Sequence, residues 1–169
     1  MARPNITDYP EYFGLYIKQV PEDNLNEALI NQSLMLPGFL KSISEEKSEY
    51  AYAAGKWSIK ELLQHLIDAE RIFNYRALCI ARRETISLPG FDENTYATNS
   101  NGKARKWQSL IDEFMHLRRS TEDLYLSFTE EMLGQKGLSN NNTVTPLSFG
   151  FITIGHFYHH KRIIEERYL

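Results

Sequence analysis

The stretch Ser58-Ile59-Lys60-Glu61-Leu62-Leu63-Gln64-His65-Leu66-Ile67-Asp68-Ala69-Glu70-Arg71-Ile72-Phe73 opens on a capping box. In a Ser-x-x-Glu start, the serine hydroxyl and the glutamate carboxylate each satisfy an amide group that the first helical turn leaves without a partner. From there Ile59, Leu62, Leu66, Ala69, Phe73, Ala77 and Ile80 recur at intervals of three and four. That spacing predicts a long amphipathic helix reaching about Arg82, rather than a strand.

Outward from this helix, Leu88-Pro89-Gly90 punctuates the chain. The next periodic stretch runs from about Ala104 to Met132, with Trp107, Leu110, Ile111, Phe114, Leu117, Leu124 and Leu126 marking its buried side and Gly134 and Gly137 ending it. A last helix starts at Thr145, a suitable N-cap, with Pro146 at the first helical position, and continues nearly to Tyr168. Upstream, Asp23 to about Ile43 reads as another helix, which Pro37-Gly38 is expected to kink or break. The aromatic stretch through Val20, with Tyr9, Tyr12, Phe13 and Tyr16, is expected to pack as a short helix across the others. Four principal helices with little strand signal predict an all-α fold, a four-helix bundle with long connecting loops at 84 to 103 and 133 to 145. Long ordered loops in compact domains are often functional, and these two would wall a pocket.

A chain of 169 residues with 42% hydrophobic content can build one sizeable core, so residues 1 to 169 are read as a single soluble domain. Nineteen basic against 22 acidic residues give a net charge of −3, and no block of like charge offers a handle for nucleic acid. The lone Cys79 excludes an intramolecular disulfide and a multi-cysteine metal knuckle. With no signal-like start and no apolar run of membrane-spanning length, the expected location is cytoplasmic, away from any membrane.

The run Gly155-His156-Phe157-Tyr158-His159-His160 carries three of the five histidines. On a helix, His156 and His160 lie about one turn apart, so both imidazoles can reach one ion, and neutral imidazole is a common ligand for zinc, nickel, copper and iron. Spacing alone leaves His159 as an alternative to His160. A third ligand must come from elsewhere, and His65, bordering the apolar face of its helix, can point inward from a facing helix. His116, between Met115 and Leu117 beside Arg118 and Arg119, reads as a surface residue. Asp68 is a candidate for orienting an imidazole or accepting a proton, whereas Glu70 and Arg71 suit an interhelical polar network. Asp92 and Tyr96 fall in the first long loop, where a turn-forming Asp is the default.

The segment from Lys56-Trp57-Ser58 to Glu70-Arg71, then Leu88-Pro89-Gly90-Phe91-Asp92, then Gly155-His156-Phe157-Tyr158-His159-His160, resembles the DinB-like superfamily in its YfiT-like group of metal-dependent enzymes. The resemblance spans most of the chain, with the three motifs in the family's order. It implies a four-helix bundle holding a divalent metal through three histidines, which match His65, His156 and His160, with His159 beside the site. Relatives include bacillithiol transferases and mycothiol-dependent isomerases. Together with the supply of aromatic residues, the resemblance implies a homodimer.

Three protein ligands leave a coordination position open, as catalytic zinc sites do. The leading expectation is therefore a metal-dependent transferase or hydrolase, with zinc or nickel activating a low-molecular-weight thiol or water against a small electrophilic substrate. Asp68 and His159 are its candidate catalytic groups. The alternatives are a non-catalytic, metal-stabilised stress-response or binding module, and a helical adaptor that holds no metal.

Overall fold

The computed structural model describes residues 2–169. Eight α-helices follow in order: α1 (Gly14–Ile17), α2 (Leu25–Lys41), α3 (Glu45–Ser48), α4 (Ile59–Ala81), α5 (Glu93–Asn99), α6 (Trp107–Leu126), α7 (Glu130–Gly134) and α8 (Pro146–Arg167). A two-stranded hairpin, β1 (Gly137–Ser139) and β2 (Asn142–Val144), lies between α7 and α8. The long helices α2, α4, α6 and α8 form the four-helix bundle that the hydrophobic spacing predicts. No helix among the described residues is long and apolar enough to cross a membrane.

Both caps form as the sequence predicts. Glu61 N–H donates to Ser58 Oγ (3.3 Å) while Ser58 N–H donates to the Glu61 carboxylate (2.8 Å), and Thr145 caps α8 with Pro146 in its first turn. Pro37 does not break α2, which is continuous through it. A proline inside a helix costs about 3 kcal/mol. Leu36 and Leu40 are fully buried on either side, and each contributes about 1.5–3 kcal/mol on burial, enough to hold the helix together.

The third long helix is shorter than its periodicity suggests. It stops at Leu126, and Thr129 caps the separate α7 by accepting from Met132 N–H. Leu126 is exposed, because the inward positions of that turn belong to Thr121 and Tyr125, and one turn earlier to Arg118. The long loops also contain structure. The segment 84 to 103 holds α5, and the segment 133 to 145 holds the hairpin, whose turn residues Asn140 and Asn141 take the positive φ that a two-residue hairpin loop requires. The two loops join where Leu88 N–H donates to Leu138 O (3.0 Å) and Asn140 N–H to Leu88 O (2.8 Å).

Around the bundle α4 packs against α6 and α8, and α2 against the same two, so α2 and α4 stand diagonally. The core has two apolar halves. One gathers Phe73, Ala77 and Ile80 of α4 with Phe149, Phe151 and Ile152 of α8, and the other gathers Leu62, Leu66 and Ile67 with Phe114, Phe157 and Ile164. Buried polar groups occupy the seam between them. Arg118 donates to Glu70 (2.8 Å) and Gln32 (2.6 Å), Thr121 donates to Glu70 (2.5 Å), and Gln32 donates to the Ile154 carbonyl (3.0 Å). This network ties all four long helices together, two residues before His156.

Candidate metal centre

His65 enters the seam from α4, and His156 and His160 enter from successive turns of α8. His65 Nε2 lies 3.1 Å from His156 Nε2, and His160 Nε2 lies 3.0 Å from the same atom. Among the described residues they form the one group of three or more His, Cys, Asp or Glu side chains close enough to share an ion. If these contacts were ordinary hydrogen bonds, the single site on His156 Nε2, lone pair or N–H, would have to serve two partners at once. A dication between the rings takes one lone pair from each. Four-coordinate zinc with Zn–N near 2.0–2.1 Å sets nitrogens about 3.3 Å apart, close to the spacing seen.

Electrostatics favours the ligand form of each ring. Burial holds the His65 imidazole down at about 4. His160 is pushed down to about 3, first by burial and then by His65 and His159. His156 lies well below the ordinary histidine range through burial, with the three neighbouring imidazoles adding to it. All three rings are therefore neutral at pH 7, with lone pairs available. Packing fixes their orientation: Trp57 lies 5.0 Å from the His65 ring, and Tyr16 meets His156 edge-on at 5.1 Å. The Nδ1 atom of His160 is buried without a partner.

Tyr16 reaches this position because α1 lies directly on α8. A Cβ on Gly155 would stand 2.1 Å from the Tyr16 carbonyl oxygen, so only glycine permits the approach. The N-terminal aromatic segment therefore packs as expected, with Phe13 edge-on to Phe73 and Tyr16 roofing the histidines.

A cavity of about 420 Å³ opens from the three imidazoles. Its floor is the α4 face His65, Ala69, Phe73 and Arg76, its roof is the N-terminal segment, and Phe91, Glu93 and Asn140 from the two joined loops close one side. The structure does not bring Asp68 here. That carboxylate accepts from Gln64 (3.0 Å), sits 4.0 Å from Arg71, and lines a separate surface depression with Tyr96. His159 is also outside the trio, half-buried beside Tyr16, with Nδ1 3.5 Å from the Gln19 amide. Asp92 caps α5 through Thr95 N–H (2.6 Å), and His116 is exposed. Glu70 and Arg71 lie in polar contacts between helices, with Arg118 and Glu113. Sequence reasoning missed Arg76 and Glu93. Arg76 falls eleven residues after His65, close to a whole number of helical turns, which was the available signal; Glu93, in a loop, gave none.

The profile of the DinB superfamily matches residues 31–164. No curated protein matches the chain. Among solved structures, YfiT from Bacillus subtilis, described as a probable metal-dependent hydrolase with an unusual four-helix bundle topology, is similar at a TM-score of 0.71 and 16% identity. The match covers 97% of this chain and 90% of that one. At that identity the likeness is one of fold.

Proposed function

We propose that this chain, which belongs to the DinB superfamily, is a metal-dependent enzyme whose His65, His156 and His160 hold one divalent transition ion, zinc or nickel. The observation that carries the reading is the convergence of three neutral imidazoles, two buried and one half-buried, on their Nε2 atoms at one wall of a cavity. The description of YfiT as a probable metal-dependent hydrolase supports it. Bound there, the ion would supply Lewis acidity and would lower the pKa of a nearby water or thiol. The chain does the rest. Phe13, Phe73 and Phe91 give the cavity apolar walls, Trp57 and Tyr16 pack on the His65 and His156 rings, and the exposed Glu93 lines one side. The reaction is a substitution on a small electrophile: the oxygen of water or the sulfur of a low-molecular-weight thiol bonds to the electrophilic carbon as that carbon's bond to its leaving group breaks, and the nucleophile's proton passes to solvent or the leaving group, as hydrolase or S-transferase.

Elemental analysis tests the site. Wild type should carry one ion per chain, His65→Ala, His156→Ala and His160→Ala should each lose most of it, and His159→Ala should keep it. Full occupancy in all three ligand variants would refute the assignment. We further propose a homodimer, supported by Ile30 and Leu34, which are 53% and 77% exposed one turn apart on α2. Light scattering at micromolar concentration should give twice the chain mass, and a monomeric mass would remove the proposal.

A further inference from the structure

We propose that Arg76 is the anion-binding residue of the histidine cavity, and that the substrate bound there is a small monocarboxylate whose apolar body lies against Phe13, Phe73 and Phe91. The inference deepens the reading of the cavity as a substrate site and rests on it.

Arg76 is only 6% exposed, yet its guanidinium makes one protein hydrogen bond, from Nη2 to the Pro89 carbonyl (2.7 Å). Among the described residues no carboxylate lies within ion-pair distance of it. The protein treats its other deeply buried arginine differently, since Arg118 is paired with Glu70 and Gln32. The unpartnered nitrogens of Arg76 are not sealed in the core but border the cavity, and the guanidinium keeps its proton, so the charge is offered to whatever occupies that space. Its remaining N–H groups therefore stand ready for a ligand. Arg76 shares the cavity floor with His65, Ala69 and Phe73, and the Phe91 ring lies 5.6 Å from the guanidinium carbon. An anion held by Arg76 would thus extend along an apolar floor towards the imidazoles. At the Arg76 end of the cavity the guanidinium stands among aromatic walls with the Glu93 carboxylate also in the lining, so that end carries at most one positive charge, which matches a carboxylate better than a phosphate dianion, and the planar fork suits carboxylate geometry.

The test is calorimetric titration of the metal-loaded protein with 3-phenylpropionate, its neutral amide 3-phenylpropanamide, and 2-phenylethylphosphonate. Wild type should prefer the carboxylate over the amide by about tenfold or more, as charge-assisted hydrogen bonds imply. The preference should fall to about twofold or less in Arg76→Gln and to an intermediate value in Arg76→Lys, which keeps the charge but loses the fork. It should persist after chelation of the metal. No carboxylate preference in wild type, an unchanged preference in Arg76→Gln, or a preference abolished by chelation would each overturn the assignment, and tighter binding of the phosphonate would overturn the monocarboxylate class. Should Arg76→Gln fail to fold, Arg76→Lys decides, because an unchanged preference there removes the fork. Elemental analysis separates this proposal from the metal assignment: wild type without metal but with an Arg76-dependent preference sinks only the metal.

Discussion

At the scale of single residues, the buried arginines show why part of the site was legible and part was not. A histidine pair at i and i+4 announces itself, because few other roles need two imidazoles one turn apart. Arg118 and Arg76 sit at core positions of their helices, but in a sequence a charged residue at such a position reads as solvated face. Only the fold shows Glu70 and Gln32 arriving from two other helices to meet Arg118. Removing one partner of such a pair leaves an uncompensated buried charge, so Arg118→Leu should cost about 3–5 kcal/mol at neutral pH. Burial pushes the Glu70 carboxyl up, against the opposing pulls of Arg118 and Thr121. A raised folded pKa contributes stability below the unfolded value, about 4.3 for glutamate, and that contribution is lost as pH rises through the folded pKa. Without Arg118 the carboxyl rises further, so the deficit of Arg118→Leu should shrink as pH falls from 7 towards 5, and Glu70→Gln in that background should recover part of it at pH 7. Urea melts of the three proteins at both pH values check this, and a deficit independent of pH would show that the charge on Glu70 is not its source.

At the scale of elements, helix existence followed from spacing and caps, while helix ends and interruptions depended on packing that spacing does not encode. Pro37 is tolerated in α2 because its neighbours are anchored, and α6 ends early because Thr129 offers a new cap. The same contrast gives two helical glycines opposite signs. At Gly38 an added Cβ meets nothing within 4 Å. Gly38→Ala should therefore follow helix propensity and stabilise by about 0.5–1 kcal/mol. At Gly155 the same methyl would strike the backbone of Tyr16, which cannot swing aside as a side chain would. Gly155→Ala should destabilise by about 1–3 kcal/mol despite its better propensity, and by lifting α1 it should also loosen Tyr16 from His156. Thermal melts of the two variants measure the signs directly. A stabilised Gly155→Ala would mean that α1 does not bear on α8 in solution.

At the scale of the whole molecule, four long helices could be counted from the sequence, but their order around the bundle could not. Nothing in the periodicity of α2 or α4 says that they stand diagonally, since that depends on which faces meet. The arrangement matters for the metal. His65 and the His156–His160 pair come from neighbouring helices whose apolar faces already pack on both sides of the seam. An ion there would tie α4 to α8 without being needed to assemble them, unlike structural zinc in a domain too small to have its own core. Chelation should accordingly leave the helical content intact while lowering the melting temperature. With free metal at a hundred times its dissociation constant, linkage gives about 2.7 kcal/mol, which in a domain of this size corresponds to roughly 5–11 °C. His160→Ala should show little further response to chelator, because its site is already broken. Circular dichroism melts with and without chelator distinguish the cases. Unchanged melting of wild type would mean that no ion is held, whereas loss of helix on chelation would mean that the ion organises the bundle and that the two apolar halves do not suffice without it.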